Sequence, residues 1–148
     1  MSKRRCLPFI KPTRRIPVRK NPNRRIKKAE NRGKINEKRV LEALRRFPRP
    51  SWVSKIRHSD DKEDRFEGKD IVILTNIIGA IFLQVKSSIR GAHKFKVGRH
   101  GSNPRIEVIV VFDFEPPEVI AERAWRILGG IFHRFLLSAE KQTEGQAA

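Results

Sequence analysis

Three polar residues stand where apolar strands should carry hydrophobic side chains. Asp70 opens the run DIVILT, and Gln84 and Lys86 lie inside AIFLQVKSS. Residues two apart on a strand share a face, so Gln84 and Lys86 point the same way, with Phe82 ahead of them. Pairing the two runs as a hairpin brings Asp70 beside them. An unpaired lysine at a buried strand position costs several kcal/mol. The plain alternative is a half-exposed strand with one polar face, and Phe82 on that face argues against it. These residue types suit a definite chemistry. A hard cation such as Mg²⁺ takes oxygen ligands, and Asp70 and the side-chain carbonyl of Gln84 supply two. Such an ion polarises a phosphodiester, neutralises developing charge and acidifies a bound water. Lys86 would orient the attacking water or stabilise the pentacovalent state. Glu37 would add a ligand, directly or through water, if its helix packs over the hairpin.

The elements that must position these groups can be read from periodicity. Val40, Leu41 and Leu44 lie at helical spacing, with Asn36 as N-cap, so a helix is predicted over 36–47, ended by Pro48 and Pro50. Alternation predicts a strand over 51–57, and the next residues to Lys69 read as a polar, acidic loop. Residues 70–75 and 80–87 form the hairpin. Residues 88–104, rich in Gly, His and basic residues, read as a long loop. A further strand is predicted over 105–112. A last helix is predicted over 118–137, with a break at Gly129-Gly130. The order gives an α/β domain with a mixed sheet. It is too short for a doubly wound dinucleotide fold, and no phosphate-cradling Gly motif is present.

The charge is large and unevenly placed. The 148 residues carry a net charge of +18. Fourteen Lys and Arg against one acid, Glu30, put +13 of it in residues 1–34. Pro8, Pro12, Pro17 and Pro22 recur through that stretch, and like charges repel. It reads as a disordered basic arm that adds affinity for a phosphate backbone without reading sequence, or else as a solubilising tail. The expected organisation is an arm over 1–33, a domain over 34–138 and a frayed tail over 139–148. A charge of this sign predicts attraction to polyanions, chiefly nucleic acid or an anionic membrane. Cys6 is the single cysteine, which excludes an internal disulfide, and no Cys/His spacing fits zinc. No apolar run reaches the ~20 residues of a membrane span, and the N-terminus lacks the apolar core of a signal peptide. The expectation is a cytoplasmic protein associated with the nucleoid, with no membrane partner.

Asp70 followed by Gln84-Val85-Lys86 resembles the D-(X)n-(E/Q)XK signature of the PD-(D/E)XK nuclease superfamily. Gly68 two residues before Asp70 fits its G-x-D form, and Ser87-Ser88 fit the small polar residues after the lysine. Gly33 to Glu37 resembles the G-x-x-x-E helix start of archaeal Holliday-junction resolvases and Mrr-like restriction endonucleases. The likeness runs from about Gly33 to Phe112. It implies a restriction-endonuclease-like core, a mixed four-stranded sheet flanked by helices. It implies Mg²⁺-dependent, alternatively Mn²⁺-dependent, hydrolysis of DNA, with the resolvases suggesting branched substrates and a homodimer. It assigns Glu37, Asp70 and Gln84 as metal ligands and Lys86 as the catalytic lysine. Most members carry Glu or Asp where this chain has Gln84. Glutamine offers oxygen without charge, which lowers metal affinity, although Mrr-like members also use it.

Around this set, Asp64 is the best extra ligand among Asp60, Asp61, Glu63, Asp64 and Glu67, but a solvated acidic loop accounts for all five. Ser88, Arg90, Lys94, Lys96 and Arg99, with His93 and His100 nearby, are the expected nucleic-acid contacts. Trp52 and Trp125 read as core. The competing functional reading is a non-catalytic basic nucleic-acid-binding protein on a nuclease-like fold, which needs only the arm and the charge.

Overall fold

The computed structural model describes residues 22–60 and 68–146. Helix α1 (Pro22–Arg46) comes first. Pro22 stands at its first position, where a missing N–H is harmless, and Pro48 and Pro50 follow its end. Asn36, Val40, Ala43 and Leu44 are each no more than 1% exposed, a stripe at spacings of three and four. The helix therefore starts well before Asn36. That residue is not its N-cap, and residues 22–33 of the expected arm are helical. Once the apolar half is packed, extending a helix backward through Lys, Arg, Ala and Glu adds one hydrogen bond per residue fixed. Residues 1–21 of the arm, and Asp61, Glu63, Asp64 and Glu67, lie outside the described residues.

Strands β1 (Val53–His58), β2 (Ile71–Thr75), β3 (Ala80–Lys86) and β4 (Ile106–Val110) form one four-stranded sheet in that order. The first three are antiparallel neighbours, while β4 runs parallel to β3. The sheet is thus mixed, as expected. The β2–β3 hairpin pairs Ile71 with Leu83 and Val72 with Phe82. Its tight return is made by Gly79 at φ 80°, whose carbonyl accepts from Thr75 N and Oγ1.

Alternation sorts the two faces. Ile71, Ile73, Ile81, Leu83, Val85 and Ile109 pack with α1 and with helix α3 (Pro117–Gln146). Val72, Phe82 and Ile106 face the other way, against Phe95 of helix α2 (Ile89–Lys96). Apolar residues on both faces explain why β2 and β3 read as nearly continuous hydrophobic runs. Helix α2 corrects the expected long loop over 88–104. It is only eight residues long and carries Gly91, too weak a pattern to stand out without Ser88, whose Oγ caps it by accepting from Gly91 N at 3.1 Å.

Helix α3 also differs from expectation. It passes through Gly129-Gly130 without a break and runs to Gln146, past the start of the expected frayed tail. Ile120, Ala124, Leu128 and Ile131 are fully buried along it and hold the two glycines in register. Trp52 stacks on its Phe132 at 4.5 Å and meets Trp125 edge-on at 6.2 Å. A Cβ built at Gly129 or Gly130 meets nothing within 4 Å. Each glycine costs a helix interior about 0.5 to 1 kcal/mol relative to alanine. Gly129→Ala/Gly130→Ala should therefore stabilise the protein by about 1 to 2 kcal/mol, read as a higher urea midpoint. An unchanged or lower midpoint would refute the continuous helix.

The turn from β4 into α3 is braced by three charged side chains. Arg123 grips the Glu115 carboxylate with two N–H groups at 2.5 and 2.8 Å, and Phe112 N donates to the same carboxylate at 2.8 Å. Arg39 of α1 donates to the carbonyls of Phe112 and Glu115 at 3.1 and 2.7 Å. The Arg123 guanidinium lowers the Glu115 pKa; burial opposes this and the Phe112 N–H adds to it. A carboxyl with a depressed native pKa stabilises the fold above its unfolded value, about 4.3 for Glu, and loses that contribution as pH falls through the native value. Arg123→Ala should cost about 2 to 3 kcal/mol at neutral pH, by stranding a mostly buried carboxylate. The gap between variant and parent should narrow below about pH 4. Urea unfolding at neutral and acid pH tests this, and an equal gap at both would count against it.

Candidate active site

At one end of the sheet the chain leaves β1 at His58, enters β2 after Asp70, and leaves β3 and β4 beside each other. Asp70 is 2% exposed and Gln84 5%. Their side chains touch: Gln84 Nε2 donates to Asp70 Oδ2 at 2.7 Å, and Val85 N donates to the same oxygen at 2.6 Å. The contact follows from the hairpin register. Asp70 N donates to the Leu83 carbonyl, which extends the ladder one residue beyond Ile71 and sets Asp70 opposite Gln84. Gln84 shares the face of Phe82, the one turned toward α2, and Lys86 follows two residues later.

Lys86 lies under α2. Its Nζ sits 5.4 Å from the centroid of the Phe95 ring, a cation–π contact. Phe95 in turn stacks on His100 at 6.3 Å. Gly68, two residues before Asp70, has φ 64°, and a Cβ there would stand 3.0 Å from the Phe95 ring and 3.1 Å from His100. Only glycine fits both the backbone and the space. Gly68→Ala should destabilise the fold by about 1 to 2 kcal/mol, seen as a lower midpoint in chemical unfolding; a parent-like midpoint would overturn this packing.

The expected nucleic-acid contacts divide into three kinds. Lys94 and Arg99 line a shallow cavity of about 270 Å³ together with Lys86, Phe95 and His100. Arg90 is exposed on the first turn of α2. Lys96 pairs instead with Glu107 at 3.5 Å, and the Ser88 hydroxyl is engaged as the helix cap.

Glu37 reaches the same end of the sheet from the other face. Its Oε2 lies 3.2 Å from His58 Nε2, and His58 pairs with Ile71, whose side chain faces α1. Among the described residues no three His, Cys, Asp or Glu side chains come together as a metal-holding group. The structure thus joins Asp70, Gln84 and Lys86 on one face and gives Glu37 a different neighbour. Nothing in local spacing points to His58 as the partner of Glu37, because the contact depends on how α1 crosses β1.

Among the described residues, two buried oxygens at this end accept or donate no hydrogen bond: Gln84 Oε1 and Ser59 Oγ. Ser59 continues the ladder, its N–H donating to the Asp70 carbonyl at 2.9 Å. Leaving a buried polar atom unpaired costs about 1 to 3 kcal/mol, so each such atom calls for a partner such as a water or an ion. An orphaned hard oxygen on Gln84, beside a buried carboxylate, fits a Mg²⁺-type cation. Asp70 and Gln84 would hold it, with water completing a coordination shell this ion fills reluctantly from protein alone. Ser59 has no signal in the sequence; its place opposite Asp70 depends on the β1–β2 register.

No protein-family model, curated protein or solved structure matches the chain.

Proposed function

We propose that this chain is a Mg²⁺-dependent endonuclease that hydrolyses DNA phosphodiester bonds on a restriction-endonuclease-like core, with a preference for branched DNA. The observation that carries the reading is the buried Asp70–Gln84 pair, with a donorless amide oxygen and with Lys86 next along the same strand face. The α/β architecture, the mixed sheet and the order of the elements support it. The net charge of +18 supports a polyanionic substrate. When bound, the cation supplies Lewis-acid charge neutralisation. Asp70 and Gln84 hold and orient it from the strand ends. Lys86, braced against Phe95, offers an ammonium to the attacking water or to the charge developing on phosphate. Lys94 and Arg99 hold the substrate backbone beside it. A homodimer would present two such sites to the two strands of a branched target.

One observation favours the second reading, a binding protein without hydrolysis. Asp70 Oδ2 already accepts from Gln84 Nε2 and Val85 N, so this buried oxygen is satisfied without any cation. The deciding experiment incubates the purified protein with labelled linear, flap and four-way-junction DNA in Mg²⁺, in Mn²⁺ and in EDTA. Cleavage that needs metal establishes the nuclease, and the best-cut geometry names its substrate. Tight, salt-sensitive binding with no cleavage in either metal establishes the binding protein.

A further inference from the structure

A second concentration of positive charge lies away from the candidate active site. The last turn of α1, the residues after it and the start of β1 enclose a groove of about 530 Å³. Arg45, Arg46, Arg49 and Lys55 line it, all exposed, and no acidic residue among the described ones does. Its floor is Leu44, Phe47 and Ile56. Several other cations of the fold do have acidic partners: Arg32 with Asp113, Arg123 with Glu115, Lys96 and Arg134 with Glu107. None of the four groove cations has an acidic partner among the described residues. Arg45 donates to the Ile56 carbonyl at 3.5 Å, and Arg46 lies 5.9 Å from the Phe47 ring centroid. Four like charges around one concavity repel each other and focus a positive potential into it, which is the electrostatic footprint of a polyanion site.

The surroundings select among polyanions. A membrane-surface site sets its Lys and Arg beside apolar side chains that enter the bilayer. The large exposed hydrophobics of this protein, among them Ile35, Ile77, Ile89 and Phe114, include none of the groove residues. Distance fits a nucleic acid. Arg46 lies nine residues beyond Glu37 on α1, roughly 13 Å along the helix axis at 1.5 Å per residue. Lys55 is near the start of β1 and His58 is at its end, so the groove lies toward the other end of β1 from the His58–Asp70 end of the sheet. A duplex touching both would cross several phosphates.

We propose that this groove is a second phosphate-backbone site, which holds the DNA duplex flanking the point of cleavage. The inference rests on the proposed action on DNA and adds to it where the substrate lies. The test is equilibrium binding of a labelled duplex in EDTA across a series of salt concentrations, so that cleavage plays no part. Each phosphate contact contributes about 0.9 to the slope of log affinity against log salt. Arg46→Ala/Arg49→Ala/Lys55→Ala should weaken binding more than tenfold and flatten the slope by about two to three. A charge-matched variant away from the arm, the groove and the candidate site, Lys38→Ala/Arg126→Ala/Arg134→Ala, should flatten it by less than about one. Equal losses in both variants would reduce the groove to generic charge and overturn the proposal. Parent-like binding by the groove variant would overturn it as well. So would loss of binding to phosphatidylserine vesicles with DNA binding intact. A parent protein that binds no DNA overturns this inference and the proposed function together. A parent that binds but never cuts, with the groove variant impaired, supports the groove and removes only the nuclease.

Discussion

Lys86→Ala should cut DNA cleavage by about a thousandfold while leaving DNA affinity in EDTA within about threefold of the parent. The two numbers separate because the proposed function gives the ammonium two kinds of work. As one cation among the 34 Lys and Arg of this chain, it adds little to attachment, which is spread over many phosphate contacts. As the cation two residues beyond Gln84 on the same strand face, under the proposed function it would meet charge that exists only in the transition state. Losing one such preorganised group costs about a hundredfold to a thousandfold. Folding should survive, since Lys86 is partly exposed and its strand is held by the full β3–β4 ladder. Lys86→Arg should restore charge but not rate, because a planar fork does not replace a compact ammonium. Cleavage by Lys86→Ala within tenfold of the parent would remove Lys86 from the chemistry.

Gln84→Glu should reverse its effect with metal. The Gln84 amide donates to Asp70 Oδ2 at a site where both side chains are almost fully buried. Replacing the donor with a carboxylate puts two acids within hydrogen-bond range away from water, so one must take up a proton or repel the other. In EDTA the variant should be less stable by about 2 to 4 kcal/mol. Mn²⁺ or Mg²⁺ should recover most of that loss, because a second charged oxygen raises cation affinity and binding to the native state alone stabilises it. Thermal unfolding of both proteins, with and without metal, reads the difference. A loss of stability that no metal reverses would mean that Asp70 and residue 84 form a structural pair and hold no ion.

Much of this arrangement was legible in the chain. Asp70, Gln84 and Lys86 were conspicuous because polar residues at strand positions cost energy that apolar neighbours do not. The period of two then fixed that Gln84 and Lys86 share a face. The hairpin followed from two apolar runs around Gly79. The end of α1 followed from Pro48 and Pro50. Local rules failed where a segment is weak by itself. Helix α2 is too short and too glycine-bearing to nucleate alone, and exists because Phe95 packs onto Phe82 and Ile106. Gly129-Gly130 would break an isolated helix, but the buried stripe from Ile120 to Ile131 holds α3 straight through them. The backward extension of α1 through residues 22–33 likewise depends on the packed half that follows it.

The sequence by itself therefore determined the polar residues of the hairpin, the alternation that sets them on one face, and a net charge of +18. These depend on residue type and on neighbours a few positions away. Only the tertiary structure decided their company. The crossing of α1 over β1 gives Glu37 to His58 rather than to Asp70. The β1–β2 register brings Ser59 opposite Asp70, and the packing of α2 sets Phe95 over Lys86. Those contacts join residues distant in sequence, and their energies come from burial and register, which no local spacing encodes.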